Sequence, residues 1–315
     1  MLHEALNVIV TRRRLAAQGV VDLELASVDE KSLPLAEPGA HVDLHLPGGL
    51  IRQYSVHECY GEPRRYRLGV GLADASRGGS QYVHDSLREG DKFAISRPRN
   101  NFPLAESARH YFFIAGGIGI TPILSMVRWC RSHGASWSLL YCVRSRSRAA
   151  YLEYLPSAER LVLHVDDEAG GVADLPAFLA SATEGDQVYC CGPSPLMDAV
   201  AQAASSLPQD AVHFERFSAE PQQQQDGETF TVKLCRSGLE LQVAAEESIL
   251  DVVEAAGIDI PFSCREGLCR TCECSVLAGE IEHRDYVLSD EERDSQEVMM
   301  ICCSRAKSDV LELDL

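Results

Sequence analysis

The 315-residue chain contains no apolar run approaching the roughly eighteen residues that a membrane-spanning helix needs. Its opening residues, MLHEALNVIVTRRRL, lack the apolar stretch and small-residue cleavage site of a secretory leader. The expectation is a cytoplasmic protein with reduced thiols and no membrane partner. Positive charge is scarce: 29 Lys and Arg against 47 Asp and Glu leave a net charge of −18, which argues against a nucleic-acid partner. Neither a two-histidine, one-carboxylate iron site nor a Rieske cysteine–histidine pattern can be read, so oxygen activation is not expected of this chain. Internal repeats are absent, and low complexity is confined to one glutamine run.

Cysteine, by contrast, is plentiful. There are twelve, and the adjacent pair Cys190–Cys191 is a placement that a disulfide framework rarely uses. The densest stretch is PFSCREGLCRTCECSVLAGE, Pro261 to Glu280. Cys264, Cys269 and Cys272 are spaced C-x4-C-x2-C, and 29 residues separate Cys272 from Cys302. Four thiolates at this spacing suit two irons bridged by sulfides. Zinc is the alternative, although structural zinc sites more often offer two C-x2-C pairs, and only one is well placed here. Cys274 reads as a buried thiol. Cys303 is expected to point away from Cys302 if that segment is extended.

The hydrophobic pattern divides the rest. Residues 1–106 alternate apolar and polar with period two, in runs such as VVDLELAS, HVDLHLP and RYRLGVGLA, which predicts an antiparallel β-barrel. Residues 107–220 alternate short apolar strands with helices, which predicts an α/β domain on a parallel sheet. Residues 221–229, within SAEPQQQQDGET, read as a linker. Residues 230–315 open with two strands and a helix from about Ser248 to Ala256. From Thr231 onward 19 acidic residues face 8 basic ones, which suits either a solvated face or a docking surface for a positively charged partner.

Each part carries candidate binding residues. In IRQYSVH, Arg52 offers a fork for a phosphate, Tyr54 a ring for an isoalloxazine, and Ser55 a hydroxyl near the flavin N5, with Gln53 between them. In SRGGSQYVHD, Gly78 and Gly79 allow a tight turn whose amides, with Ser80, can hold a phosphate. The backbone of GVGLA, Gly69 to Ala73, can line a flavin, or its glycines can mark a bulge or bend. AGGIGITP supplies Gly116, Gly117 and Gly119 for close approach of a pyrophosphate, before a helix starting near Thr121–Pro122. CCGPSPLM supplies Cys191, Gly192 and Pro193 at the C-terminal end of a strand, where open α/β sheets bind ligands. Phe217 ends this region as a flavin-side or a core aromatic.

On these motifs, the C-terminal region resembles a plant-type ferredoxin domain of the β-grasp fold. The whole chain resembles the phthalate dioxygenase reductase family, which includes the vanillate demethylase reductases. The resemblance implies an enzyme that uses FMN, NADH and a [2Fe–2S] cluster and serves a Rieske-type oxygenase acting on an aromatic acid. It implies the order flavin barrel, nucleotide domain, ferredoxin, with Cys264, Cys269, Cys272 and Cys302 as ligands. A monomer is expected. Electrons would pass from NADH to flavin, from flavin to cluster, and then to the acceptor, with no protein acid or base required. One departure is Arg270, where related loops carry glycine; it threatens cluster assembly only if that position needs a positive φ, and its alternative effect is on cluster potential or docking. For NADPH, Arg144, Arg146 and Arg148 are placed for a 2′-phosphate; Asp166 to Glu168 are placed for ribose hydroxyls, and the resemblance favours NADH. The alternatives are a stand-alone flavin reductase and a non-enzymatic ferredoxin-like redox protein.

Overall fold

The structure, a computed structural model, describes residues 5–73, 78–155, 160–218 and 228–315, so all but the last two residues of the expected linker lie outside it. It divides into two compact units, 1–216 and 217–315. No helix among the described residues is long and apolar enough to cross a membrane.

The first unit begins with a closed six-stranded barrel: β1 (Leu6–Ala17), β2 (Val20–Ser27), β3 (His41–Leu46), β4 (Leu50–Tyr60), β5 (Arg65–Gly71) and β6 (Lys92–Ile95), in the order β1-β2-β5-β4-β3-β6. Helix α1 (Gly79–Asp85) lies between β5 and β6 in sequence. Period-two alternation sends Val21, Leu23, Leu25, Tyr66, Leu68 and Val70 into the barrel core. The same alternation turns Val20, Asp22, Arg67, Gly69 and Gly71 outward.

That outer face meets the second half of the unit. Five parallel strands, β7 (Tyr111–Gly116), β8 (Trp137–Val143), β9 (Leu161–Val165), β10 (Gln187–Cys191) and β11 (Val212–Glu215), run in the order β11-β10-β7-β8-β9. Helices α2 (Ile120–His133), α3 (Asp166–Ala169), α4 (Leu175–Leu179) and α5 (Ser194–Ala203) connect them. Val20 of the barrel belongs to the core around α2 and β8. A Cβ on Gly69 would come within 2.5 Å of the Tyr151 hydroxyl and 2.6 Å of Thr121 Cγ2, and one on Gly71 within 3.1 Å of Ile118. The glycines of GVGLA therefore admit the neighbouring sheet, a reason distinct from a bulge.

At this seam lies a buried ionic cluster. Asp22 receives Arg67 Nη2 at 2.7 Å, Arg14 Nε at 3.1 Å and the Tyr151 hydroxyl at 3.2 Å, and His57 Nε2 stands 2.8 Å away. Arg128 of α2 donates to the His57 carbonyl at 3.0 Å and pairs with Glu58 at 3.1 Å. Burial opposes ionisation of Asp22, but the His57 hydrogen bond and Arg67 hold it well below the usual carboxylate range. Burial also pushes His57 down, so a neutral imidazole donates Nε2–H to the carboxylate.

The second unit is a five-stranded mixed sheet of β12 (Phe230–Leu234), β13 (Leu239–Val243), β14 (Glu273–Ala278), β16 (Val298–Met300) and β18 (Val310–Leu313), ordered β13-β12-β18-β14-β16. A small ladder joins β15 (Ile281–Glu282) to β17 (Arg305–Ala306). Helix α6 (Ile249–Ala255) packs Ile249, Leu250 and Val253 into the core with Val232, Val243 and Met299. A capping box of Ser248 and Asp251 starts α6, and one of Ser289 and Glu292 starts α7 (Asp290–Ser295).

The seam generates a stability prediction. Asp22→Asn leaves the buried Arg67 with only Glu58, and Arg14 with only Glu153, as counter-charge. It is expected to destabilise the first unit by roughly 3 kcal/mol, the lower end for breaking a buried pair. Denaturant titration reads this as a lower midpoint at unchanged slope. A loss below about 1 kcal/mol, the value of an exposed pair, would show that the cluster does not hold the seam.

Candidate cofactor and metal sites

The cluster loop is built by a ladder. Strands β14 and β16 pair antiparallel with Glu273 opposite Met300, and the Ile301 amide donates to the Cys272 carbonyl at 3.3 Å. This register carries Cys302, distant in sequence, to the loop of Cys264, Cys269 and Cys272. Cys269, Cys272 and Cys302 are buried and Cys264 is partly exposed. The Cys264 thiol is hydrogen-bonded to those of Cys269 and Cys302. The backbone amides of Glu266 and Leu268 each donate to Cys264 Sγ at 3.3 Å. The hydrogen bond to Cys264, and then burial, push the Cys269 thiol up. Crowded thiols resist ionisation unless a cation joins them, and amides aimed at sulfur suit a thiolate. Among the described residues no three His, Cys, Asp or Glu side chains form a site for a single metal ion. A two-iron cluster divides its four thiolates between two ions.

The loop holds its shape against its own backbone. Arg265, Gly267 and Arg270 have φ of +57°, +69° and +59°. The position of Arg270 thus does need a positive φ, and arginine occupies it at a cost of roughly 1–2 kcal/mol. Its guanidinium reaches Glu273 at 2.8 Å and Glu292 at 2.7 Å. Arg265 bonds Asp251 at 2.6 Å, bonds Glu254, and lies 4.1 Å from the centre of the Phe262 ring. Asp251 and Glu292 are the capping-box acids of α6 and α7, so each strained arginine grips the start of a helix.

Cys303 departs from expectation. Residues 301–303 form a turn instead of an extended segment, so the Cys303 thiol lies against that of Cys302. Cys274, as expected, is buried in the core.

In the barrel, Arg52, Gln53, Tyr54 and Ser55 lie consecutively on β4. Tyr54 packs against the barrel core, and burial pushes its phenol up to about 12. Ser55 Oγ and Gln53 Nε2 are buried with no hydrogen-bond partner within the chain. A Cβ on Gly79 would fall 2.3 Å from Arg52 Cγ, so the arginine lies directly over the turn that begins α1. Gly78 there has φ of +91° and caps α1, and the Ser80 hydroxyl accepts from the Ala73 amide at 3.3 Å. The expected phosphate arginine and phosphate turn thus meet.

In the parallel sheet the two glycine loops touch backbone to backbone. A Cβ on Gly119 would strike the Cys191 carbonyl at 2.1 Å, and one on Gly116 would come within 2.7 Å of Pro193 and 3.2 Å of Gly192 Cα. These glycines let the β7–α2 and β10–α5 turns close on each other. Gly117 differs: its φ is +53° and no atom lies within 4 Å of its Cβ position, leaving its backbone open to an incoming group. Thr121 is buried in the first turn of α2 and donates to the Ile118 carbonyl at 2.9 Å. Phe217 is 45% exposed.

Glu215, which sequence reasoning passed over, is paired in parallel register with Cys191 at the C-terminal end of β11. The residue is partly exposed, but its Oε2 is buried without a partner, and burial pushes its carboxyl up to about 8. Burial and then Glu215 push Cys191 up as well. The available signal was a lone acid ending a sheet strand in VHFE.

Two family models match: "2Fe-2S iron-sulfur cluster binding domain" over residues 232–307, and "Dimethylamine monooxygenase subunit DmmA-like, N-terminal domain" over 95–212. A toluene-4-sulfonate monooxygenase system reductase subunit of Comamonas testosteroni is 42% identical over 312 residues, 98% of each chain. A vanillate O-demethylase oxidoreductase of a Pseudomonas species is 42% identical over 316 residues, covering 98% of this chain and all of the relative. The crystal structure of phthalate dioxygenase reductase superposes with a TM-score of 0.74 at 36% identity, covering 99% of this chain and 98% of that one.

Glu215 supplies a pH prediction. Its carboxyl titrates near 8 in the fold against about 4.5 for the ordinary group, so the folded chain holds this proton more tightly. Its contribution to stability is fully present below about 4.5 and is lost as pH rises through about 8. Melting temperatures of wild type and Glu215→Gln measured from pH ~5 to ~9 are expected to diverge, the glutamine variant gaining relative stability on the alkaline side. A gap independent of pH would refute the raised value.

Proposed function

The chain belongs to the phthalate dioxygenase reductase family, and we propose that it takes hydride from NADH on FMN and passes single electrons through its [2Fe–2S] cluster to a Rieske-type oxygenase. The observation that carries this reading is the combination, in one chain, of a barrel strand with ligand-seeking groups, an open glycine turn on a parallel sheet, and a four-thiol loop. When bound, the nicotinamide supplies an electron pair, the flavin accepts pairs and releases single electrons, and the cluster accepts one at a time.

The protein's own contribution is seating. Arg52 over Gly79, with the Gly78–Ser80 turn, fits one phosphate, which supports FMN over a dinucleotide flavin. Ser55 Oγ and Gln53 Nε2 are the unpartnered groups offered to the ring system, with Tyr54 beside them on β4. Gly117 leaves room for a pyrophosphate at the start of α2, while Gly116 and Gly119 bring in the Cys191–Gly192–Pro193 turn for the nicotinamide side. The Arg146 fork, one of the groups suited to a 2′-phosphate, is held by Glu168 at 2.6 and 2.8 Å, which supports NADH over NADPH. Cys264, Cys269, Cys272 and Cys302 hold the two irons. The domain limits adopted for this reading are 1–106, 107–220, a linker at 221–229, and 230–315.

Relationship and charge support the choice of acceptor. Several relatives that align over the whole chain are reductase components of systems for aromatic compounds, toluene-4-sulfonate and vanillate among them, while one of equal coverage serves carnitine. An oxygenase acting on an aromatic acid is the corresponding partner here. The acidic C-terminal segment suits a positively charged docking face and a brief, salt-sensitive encounter.

Cys264→Ala is expected to keep NADH-dependent bleaching of the flavin while abolishing electron delivery to the oxygenase. Wild-type turnover with that oxygenase should fall as ionic strength rises above about 0.1 M, where the Debye length is near 10 Å. Steady-state kcat/KM should favour NADH over NADPH. Oxygenase turnover that survives Cys264→Ala, or a preference for NADPH, would overturn the corresponding assignment.

A further inference from the structure

Resting on the reading that Cys264, Cys269, Cys272 and Cys302 hold a [2Fe–2S] cluster, we propose that Cys303 is a reserve ligand that takes over the iron of Cys302. Its sulfur is already at the loop. The tight turn that follows β16, with the Cys303 and Ser304 amides both donating to the Met300 carbonyl at 3.2 and 3.0 Å, folds the adjacent thiols of Cys302 and Cys303 into contact. From the other side, a Cβ on Gly267 would come within 2.6 Å of Cys303 Sγ. Cys303 therefore sits between a ligand and the middle of the segment joining Cys264 to Cys269.

Its other attachments are weak. Cys303 Sγ is 3.7 Å from the Met300 carbonyl and 3.9 Å from Ser304 Oγ, contacts whose loss costs little. The remaining cysteines of the second unit do not share this position. Cys274 lies within the β14 ladder, its thiol 3.4 Å from the Ser275 carbonyl, and Cys235 is exposed after β12. Short backbone movement in a turn is enough to exchange neighbouring residues, whereas exchange from a strand breaks a ladder.

The exchange is a ligand substitution without redox change. The Cys303 thiol gives its proton to water as its sulfur bonds to iron. The Cys302 thiolate takes a proton from water as its bond to iron breaks. Iron and sulfide keep their oxidation states. A chain with this arrangement retains its cluster when Cys302 is lost to oxidation or alkylation.

The test uses the full chain purified without oxygen. Wild type, Cys302→Ala, Cys303→Ala, the double variant and Cys264→Ala are compared for iron and acid-labile sulfide per bound flavin. The reduced cluster is also recorded by electron paramagnetic resonance. Cys302→Ala is expected to keep most of its iron and sulfide with a shifted spectrum, while the double variant and Cys264→Ala lose roughly tenfold or more, the scale set by losing a metal-site group. A Cys302→Ala protein that is folded, flavin-loaded and as empty of iron as the double variant overturns the proposal. Should Cys302→Ala fail to fold, Cys303→Ala and Cys303→Ser decide. Both are expected to release iron to a chelator roughly tenfold faster than wild type. Wild-type release rates in either variant overturn the proposal; rescue by serine alone would reduce Cys303 to a hydrogen-bond donor. An iron-free, sulfide-free wild type would sink the cluster reading itself, and the reserve ligand with it.

Discussion

An ionised carboxylate buried between a β-barrel and a parallel sheet has to be neutralised in place, and the first unit is arranged around doing so at Asp22. Arg14 and Arg67 come from barrel strands, Tyr151 from the sheet side, and His57 from β4, the strand of Arg52 to Ser55. Arg128 of α2 holds the His57 carbonyl from the nucleotide side. The close approach this requires is made possible by Gly69 and Gly71, whose missing side chains leave room for Tyr151, Thr121 and Ile118. A hydride donor and acceptor need fixed geometry, and on the proposed assignment this seam would hold the strand of Arg52 to Ser55 in register with the turn of Gly117.

The cluster loop solves a different problem by similar means. A short loop must bend around sulfur while presenting amides to it, and three left-handed residues, Arg265, Gly267 and Arg270, do the bending. Two of them are arginines, and the capping-box acids of α6 and α7 bind them. The returns from such half-exposed pairs are modest, comparable with the strain of roughly 1–2 kcal/mol that each arginine carries. The acids at the helix starts thereby link the loop to the core of the second unit.

Much of this was legible in the sequence, for identifiable reasons. Period-two alternation located the barrel strands, and apolar strands separated by glycine turns located the parallel sheet, because both patterns follow directly from which face is buried. The helix expected from Ser248 to Ala256 is found at Ile249–Ala255, with those two residues as its caps. The thiol spacing marked the loop. What was not legible depends on contacts between distant segments. Asp22 and Arg67 occupy polar positions of alternating strands, and only the folded second half of the unit covers them. Gly119 read as a phosphate glycine, yet the Cys191 carbonyl is what forbids a side chain there. Cys303 read as pointing away because alternation assumes a strand, and the chain turns instead. Glu215 gave only a lone acid at a strand end, and its displaced titration arises from burial that a sequence does not display.

On this mechanism an electron pair enters the first unit and leaves singly through the cluster of the second. Rapid anaerobic mixing with NADH, followed by absorbance in the flavin and cluster bands, follows that path. Flavin absorbance should fall first and cluster absorbance follow, and removing the flavin should stop the second phase. Cluster bleaching by NADH in the flavin-free protein, or a cluster that stays oxidised after the flavin is reduced, would contradict the mechanism.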